Sequence, residues 1–219
     1  MARVEKIPTA PFNPFYGCAI MVMAALIFGG IIAWSAYSLF EQDKAIAAFA
    51  SDQPDKFAPI ELAPEARAAL EKKLSDFAGS QTQELSLSIA ELNALLLIAP
   101  DTGYGVYTDM LRFQRTEPAA NRVVARVSLP MNHIKFWEGR KRYLIGEVAY
   151  EVVVHDAGVD AKAVDAKVPG KTVPEGFIAG LGTWTLLGPY QKVEPVGSAL
   201  KKVKKATVTA DGILLKSGE

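Results

Sequence analysis

An uninterrupted apolar run, CAIMVMAALIFGGIIAWSAYSL, extends from Cys18 to Leu39 without a charged side chain. A helix rises about 1.5 Å per residue, so about 22 residues reach about 33 Å, enough to cross the hydrocarbon core of a bilayer. Aromatic side chains flank both ends of the run, as they do at membrane interfaces: Phe12, Phe15, Tyr16, Trp34, Tyr37 and Phe40. The sequence therefore predicts one transmembrane helix, over residues 17–40.

Two other interpretations of this run would change the mature protein. A secretory signal peptide has a shorter apolar stretch, of about 7–15 residues, that ends at a small-residue cleavage site. Lipoprotein processing requires a cysteine after the apolar run, whereas Cys18 opens it. Because the run is long and its cysteine stands first, the sequence favours an uncleaved, single-pass anchor.

The charges that flank the run predict its orientation. Arg3 and Lys6 lie in the short leader, residues 1–16, whereas acidic residues outnumber basic ones just after the run. Positive flanks tend to stay in the cytoplasm. We therefore expect the N-terminus in the cytoplasm, the anchor in the inner (cytoplasmic) membrane, and the C-terminal domain on the periplasmic or extracytoplasmic side.

Composition excludes several classes of function for the residues that follow. The formal net charge is +0, which argues against an electrostatic pull toward nucleic acid. Cys18 is the sole cysteine and lies within the apolar run, so the outer domain has no disulfide and no thiolate metal cluster. About 180 residues remain, enough for one domain with a hydrophobic core.

Residues 41–63 are expected to continue the helix briefly and then to form a proline-containing linker, so that the outer domain occupies residues 64–219. PEARAALEKKLSDFAGS begins with Pro64 and has the apolar spacing of a helix. TQELSLS alternates as a short strand and passes directly into IAELNALLLIAP. Ser88 and Glu91 form a capping-box pattern, which predicts that the helix begins at Ser88.

From residue 104 to residue 168 the apolar period changes to two, which indicates strands with one buried face. Four strands fit: GVYTDMLRFQR, RVVARVSLP, YLIGEVAYEVVVH and GVDAKAVDAKV. Consecutive antiparallel strands of this kind form a meander. A helix over PEGFIAGLGTWTLL, a short helix over PVGSALKKVKK and a strand or hairpin turning at Asp211-Gly212 follow. The sequence therefore predicts an α+β fold, a curved antiparallel sheet packed on helices.

The stretches LSLSIAELNALL and ALKKVKKATVTADGILLK resemble the opening and closing signatures of small bacterial envelope proteins of the YceB and YpmS type. The resemblance spans about residues 80–217. Those proteins are similar to halves of tubular lipid-binding domains, in which a curved antiparallel sheet wraps one or two helices and leaves an apolar groove. The resemblance implies such a groove in this chain. The activity of proteins in that family is mostly uncharacterised.

Motifs for catalysis and metal binding are weak. Ser198-Ala199-Leu200-Lys201 matches S-x-x-K, but the companion motifs of penicillin-recognising enzymes are missing from the sequence. Gly170-Lys171-Thr172 ends like a phosphate loop, but Asp165 stands where its first glycine is required. Glu151 and His155 share a strand face, which is better explained as a hydrated surface than as a metal site. We therefore expect a non-enzymatic protein without a cofactor.

Two groups of residues are candidates for binding. An aromatic and basic cluster, suited to an anionic lipid headgroup or a polar protein partner, comprises Phe136, Trp137, Arg140, Lys141 and Arg142. A possible apolar groove between two helices comprises Leu92, Leu95, Leu96, Phe177, Leu181 and Trp184. The leading hypothesis is binding of a lipid or another apolar ligand close to the membrane, and the alternative is a structural or assembly subunit of a larger membrane complex. An open pocket of several hundred Å³ would favour the first hypothesis, and an exposed apolar patch over a filled core would favour the second.

Overall fold

The computed structural model describes residues 14–100, 102, 105–131 and 141–218. It begins with one long helix, α1 (Pro14–Phe49). Within Phe15–Phe49 the most apolar 18-residue window has a mean hydropathy of 2.3, so by length and composition this helix can cross a membrane. The chain divides into two compact units, Met1–Ala45 and Ile46–Glu219. The last turn of α1 therefore belongs to the second unit, where Phe49 is buried.

The second unit confirms the predicted α+β class, since antiparallel strands and helices share one hydrophobic core. In chain order its helices are α2 (Pro64–Ala78), α3 (Ile89–Leu95), α4 (Tyr107–Met110), α5 (Glu175–Leu181) and α6 (Val196–Lys202). Its strands are β1 (Glu84–Ser88), β2 (Leu111–Glu117), β3 (Arg122–Pro130), β4 (Tyr143–His155), β5 (Gly158–Lys167), β6 (Lys205–Val208) and β7 (Gly212–Lys216).

The larger sheet is the predicted antiparallel meander, in the order β2-β3-β4-β5. Its period of two arises because alternate side chains face the core. On β3 the inward residues Val123, Ala125, Val127 and Leu129 are all buried. On β4 the corresponding face is buried as far as Val152. Register shifts occur between Phe113 and Arg115 and between Ala149 and Tyr150.

The smaller sheet has the order β1-β7-β6, so the C-terminal hairpin pairs with the strand that opens the domain. Gly212 pairs with Ser88 at the end of β1. A Cβ atom at Gly212 would lie 1.9 Å from the carbonyl oxygen of Leu87, so the strands approach too closely there for any other residue. The capping box is confirmed: Ser88 Oγ accepts from the N–H of Glu91, and Glu91 Oε2 accepts from the N–H of Ser88.

Asn121 connects the two sheets. It lies in the left-handed region, with φ of 52°, in the connection between β2 and β3. Its side-chain nitrogen donates to the carbonyl of Val152 on β4, and its side-chain oxygen accepts from the N–H of Val208 on β6. One amide therefore satisfies backbone groups of two different sheets.

Residues 50–63 lie against the larger sheet, ahead of the predicted start of the domain at Pro64. Ser51 forms a two-way backbone bridge with Tyr143, and the N–H of Asp55 donates to Ser128 Oγ. The Arg112 guanidinium lies over the Phe57 ring at 5.1 Å. Although its prolines prevent regular hydrogen bonding, this segment is held by polar contacts to the strands beside it.

Two predicted elements differ from the structure. The first predicted strand, GVYTDMLRFQR, contains the helical turn α4 before β2 begins at Leu111. The helix predicted over PEGFIAGLGTWTLL ends at Leu181. The residue after it, Gly182, packs on the sheet: a Cβ atom at this position would lie 2.7 Å from the carbonyl oxygen of Ala163.

Candidate functional site

A surface groove of about 330 Å³ lies beside α5. Its walls come from the short helix α4, the end of β3 and the segment that contains α5. The lining is apolar: Met110, Leu129, Pro130, Met131, Phe177, Gly180, Leu181 and Trp184. A concave apolar surface of this size is typical of a site for a small apolar ligand.

Aromatic contacts fix the walls of this groove. The ring of Phe177 packs on the ring of Phe49, with centroids 5.1 Å apart, so the last residue of α1 supports α5. In the segment after α5, the Trp184 ring meets the buried Tyr107 ring edge-on, with centroids 6.2 Å apart. Gly180 has open space around it, since a Cβ atom there would meet no atom within 4 Å. The groove is therefore bounded by packed rings and has an unobstructed stretch of helix backbone on one side.

A second, interior cavity of about 80 Å³ lies between α3 and the larger sheet. Apolar side chains from both sheets and from α3 line it, among them Leu92, Leu95, Leu96, Val152, Val159, Ala161 and Leu186. Three tyrosines complete the wall: Tyr107, Tyr150 and Tyr190.

The three tyrosine hydroxyls differ in their partners. Tyr107 Oη donates to the carbonyl oxygen of Leu186 at 2.7 Å, and Tyr190 Oη donates to that of Leu95 at 3.1 Å. Tyr150 Oη is buried and has no hydrogen-bond partner among the described residues. Burial raises the pKa of all three tyrosines, so each is a neutral hydroxyl at physiological pH.

The structure distributes the predicted groove residues over two places. Leu92, Leu95 and Leu96 line the interior cavity, whereas Phe177, Leu181 and Trp184 line the surface groove. The Tyr107–Trp184 ring contact lies between the two sets. Sequence reasoning misses Tyr107, because its pattern predicts a strand where the structure has a helical turn. The alternating pattern of the strand that contains Tyr150 gives no sign that its hydroxyl is buried in a cavity wall.

The predicted aromatic and basic cluster lies largely outside the described residues, which exclude Phe136, Trp137 and Arg140. Lys141 is exposed. The Arg142 side chain is only 17% exposed, and its Nη1 atom lies 3.7 Å from Asp52 Oδ1. Arg142 therefore faces the segment that follows α1, beside the Ser51–Tyr143 bridge.

The described residues contain no group of three or more histidine, cysteine, aspartate or glutamate side chains that could hold a metal ion. His155 is exposed at the end of β4, at the turn into β5. The chemistry that the described cavities offer is therefore apolar contact and hydrogen bonding by neutral hydroxyls. Comparison of the chain with protein-family models found no match, and comparisons with curated proteins and with solved structures found none either.

Proposed function

We propose that this protein is a non-enzymatic, membrane-anchored envelope protein that binds a lipid or another apolar ligand close to the membrane. The observation that carries this proposal is the apolar groove of about 330 Å³ beside α5. A methylene group occupies about as much space as a water molecule, about 30 Å³, so the groove has room for about ten of them. One acyl chain, or part of one, fits that volume.

The bilayer itself is the source of such a ligand. Phe49 follows Phe40, at the end of the apolar run, by only nine residues. At no more than about 3.6 Å per residue, this length of chain keeps Phe49 within about 32 Å of Phe40. Phe49 packs on Phe177 of the groove wall, so the shortness of this connection supports a groove within reach of lipid from the bilayer. We further propose that the N-terminus is cytoplasmic and that the domain lies outside the inner membrane.

Gly176 and Gly180 provide a matched test of lipid binding. Both lie on α5, and a Cβ atom at either position would meet no atom within 4 Å, but of the two only Gly180 lines the groove. Full-length protein in nanodiscs is exposed to a photoreactive fatty acid, and crosslinking is quantified by mass spectrometry. We expect Gly180→Leu to reduce crosslinking to α5 several-fold and Gly176→Leu to leave it unchanged. Equal crosslinking in both variants and the parent would refute the groove as the site.

One observation favours the alternative, an assembly subunit of a membrane complex. The open backbone at Gly176 and Gly180 allows a helix of another protein to approach α5 closely. In that case both leucine variants should dissociate the complex on native gels after mild detergent extraction. Lipid binding predicts an effect at position 180 alone, so the same pair of variants separates the two functions.

A further inference from the structure

One tyrosine hydroxyl in the wall of the interior cavity has no hydrogen-bond partner among the residues that the structure describes. Of the three tyrosines in its wall, Tyr107 and Tyr190 each donate to a backbone carbonyl, and Tyr150 donates to no described residue. Tyr150 is only 2% exposed, and it projects from the same face of β4 as Val152, which also lines the cavity. The unpaired hydroxyl therefore lies in a buried, otherwise apolar place.

An unpaired buried hydroxyl is costly, because it has lost its hydrogen bonds to water and gained none in return. A phenylalanine at this position would keep the ring packing and remove that cost. A water molecule in the cavity needs two to four polar partners. Tyr107 and Tyr190 already donate their hydroxyl protons to carbonyls, so beyond Tyr150 these hydroxyls offer such a water acceptor oxygens only. A ligand that is apolar over most of its surface and carries one oxygen atom makes apolar contacts with the wall. Its oxygen can also accept a hydrogen bond from Tyr150 Oη.

The charge of such a group is also constrained. The lining residues include no lysine, arginine, histidine, aspartate or glutamate among those described. Transfer of an ionised carboxylate or ammonium into this wall would leave its charge unpaired, which is far more expensive than burial of a neutral hydroxyl or carbonyl. The cavity therefore discriminates against charged ligands.

We propose that the interior cavity binds an uncharged aliphatic alcohol or carbonyl group, whose oxygen hydrogen-bonds to Tyr150 Oη. The cavity volume of about 80 Å³ is about half of the roughly 150 Å³ that accommodates benzene in an engineered apolar cavity, so it holds about three or four non-hydrogen atoms. This site is separate from the surface groove, and the proposal holds whether or not a lipid binds beside α5.

The probe is 1-propanol, which has four non-hydrogen atoms and one hydroxyl. Full-length protein in nanodiscs carries ¹³C-labelled leucine and valine methyl groups, and their NMR shifts are followed as 1-propanol is added. We expect saturable shifts at Leu92, Val152 and Val159, with a Kd of about 1 mM, within the efficiency limit for so small a ligand. Propionate, the charged counterpart, should cause no saturable shift at these methyl groups.

Two tyrosine variants make a matched pair. Tyr150→Phe removes the unpaired hydroxyl and should weaken 1-propanol binding about fivefold or more without lowering the melting temperature. Tyr190→Phe removes a paired hydroxyl from the same wall, and it should lower the melting temperature while 1-propanol binding is retained. Ala161→Val adds two methyl groups to the cavity wall and removes no hydroxyl. This variant should also weaken 1-propanol binding, because less space remains for the ligand.

Several results would overturn the proposal. The proposal is wrong if 1-propanol causes no shift of the cavity methyl groups in the parent protein. It is also wrong if the Tyr150→Phe variant binds 1-propanol as tightly as the parent does, or if propionate binds the parent as tightly as 1-propanol does. Because 1-propanol does not depend on the groove beside α5, the Gly180→Leu variant should bind it normally. Failure of the lipid-binding function and failure of this site are therefore distinguishable.

Discussion

The side-chain amide of Asn93 pairs with the backbone of Phe113 as a neighbouring strand would. Asn93 Nδ2 donates to the Phe113 carbonyl at 2.9 Å, and the Phe113 N–H donates to Asn93 Oδ1 at 2.8 Å. Phe113 is the residue of β2 at which the register with β3 shifts. One side chain of α3 thus satisfies both backbone groups at the irregular edge of the larger sheet.

Replacement of Asn93 by alanine should therefore destabilise the domain by about 2–3 kcal/mol, since two partly buried backbone groups would lose their partners. The free energy of unfolding of the full chain, measured by urea titration, checks this value. Gln114 is the exposed neighbour of Phe113 on β2, and Gln114→Ala should change the free energy by no more than about 0.5 kcal/mol. Equal effects of the two substitutions would mean that the amide pairing contributes nothing specific.

The elements that the sequence predicts well are those with a single dominant signal. The bounds of β3 and β4 agree with the predicted strands. A strand is recognisable from sequence when one of its faces is buried, because apolar residues then recur at every second position. The capping box at Ser88 and Glu91 is equally clear, because both partners lie within four residues of each other. The hairpin predicted at Asp211-Gly212 is present, but its turn lies one residue earlier, because Gly212 is already the first residue of β7.

Features that depend on distant contacts are missed. Nothing in the local pattern around Tyr107 distinguishes one helical turn from a strand, and the turn is fixed by the bond from Tyr107 Oη to Leu186, 79 residues away. The end of α5 coincides with the close approach of Gly182 to Ala163 of β5, which lies 19 residues earlier in the chain. The separation of the groove from the interior cavity depends on the Tyr107–Trp184 contact, which no helical periodicity encodes.

The capping box permits a second prediction. Ser88→Ala removes the acceptor for the Glu91 N–H and should cost about 1 kcal/mol, within the range of about 0.5–2 kcal/mol for such caps. Thermal unfolding followed by circular dichroism measures the loss. Ser88→Asn, which retains a capping acceptor, should recover most of the stability. An alanine variant that melts at the parent temperature would contradict the assigned role of this cap.

Glu91 should make the stability of the domain sensitive to acid. Burial raises its pKa, but hydrogen bonds from Lys73 Nζ and from the Ser88 N–H outweigh burial and hold the pKa below its ordinary value of 4.5. A lowered pKa in the folded state stabilises the protein above the unfolded-state pKa. That contribution is lost as the pH falls through the folded-state value. Glu91→Gln should therefore be less stable near pH 7 and should lose less further stability between about pH 5 and about pH 3.

Urea titrations of both proteins at several pH values test this prediction. Glu84 provides the control, because it also forms an ion pair, with Lys216, but lies at the exposed end of β1 and has a more exposed side chain than Glu91. Glu84→Gln should leave the acid dependence of the free energy of unfolding close to that of the parent. If the free energy of unfolding depends on pH in the same way for the parent and for Glu91→Gln, Glu91 does not cause the acid sensitivity.

The topology of the chain is the last prediction. The basic leader and the acidic residues after the apolar run favour a cytoplasmic N-terminus, and α1 is long enough to remain as an anchor. A reporter that is active only outside the cytoplasm should be active when it is fused after Glu219 and inactive when it is fused before Met1. The full-length protein should also remain in the membrane pellet after an alkaline wash. A shortened, soluble product would identify residues 17–40 as a cleaved signal, and an active N-terminal fusion would reverse the orientation while retaining the anchor.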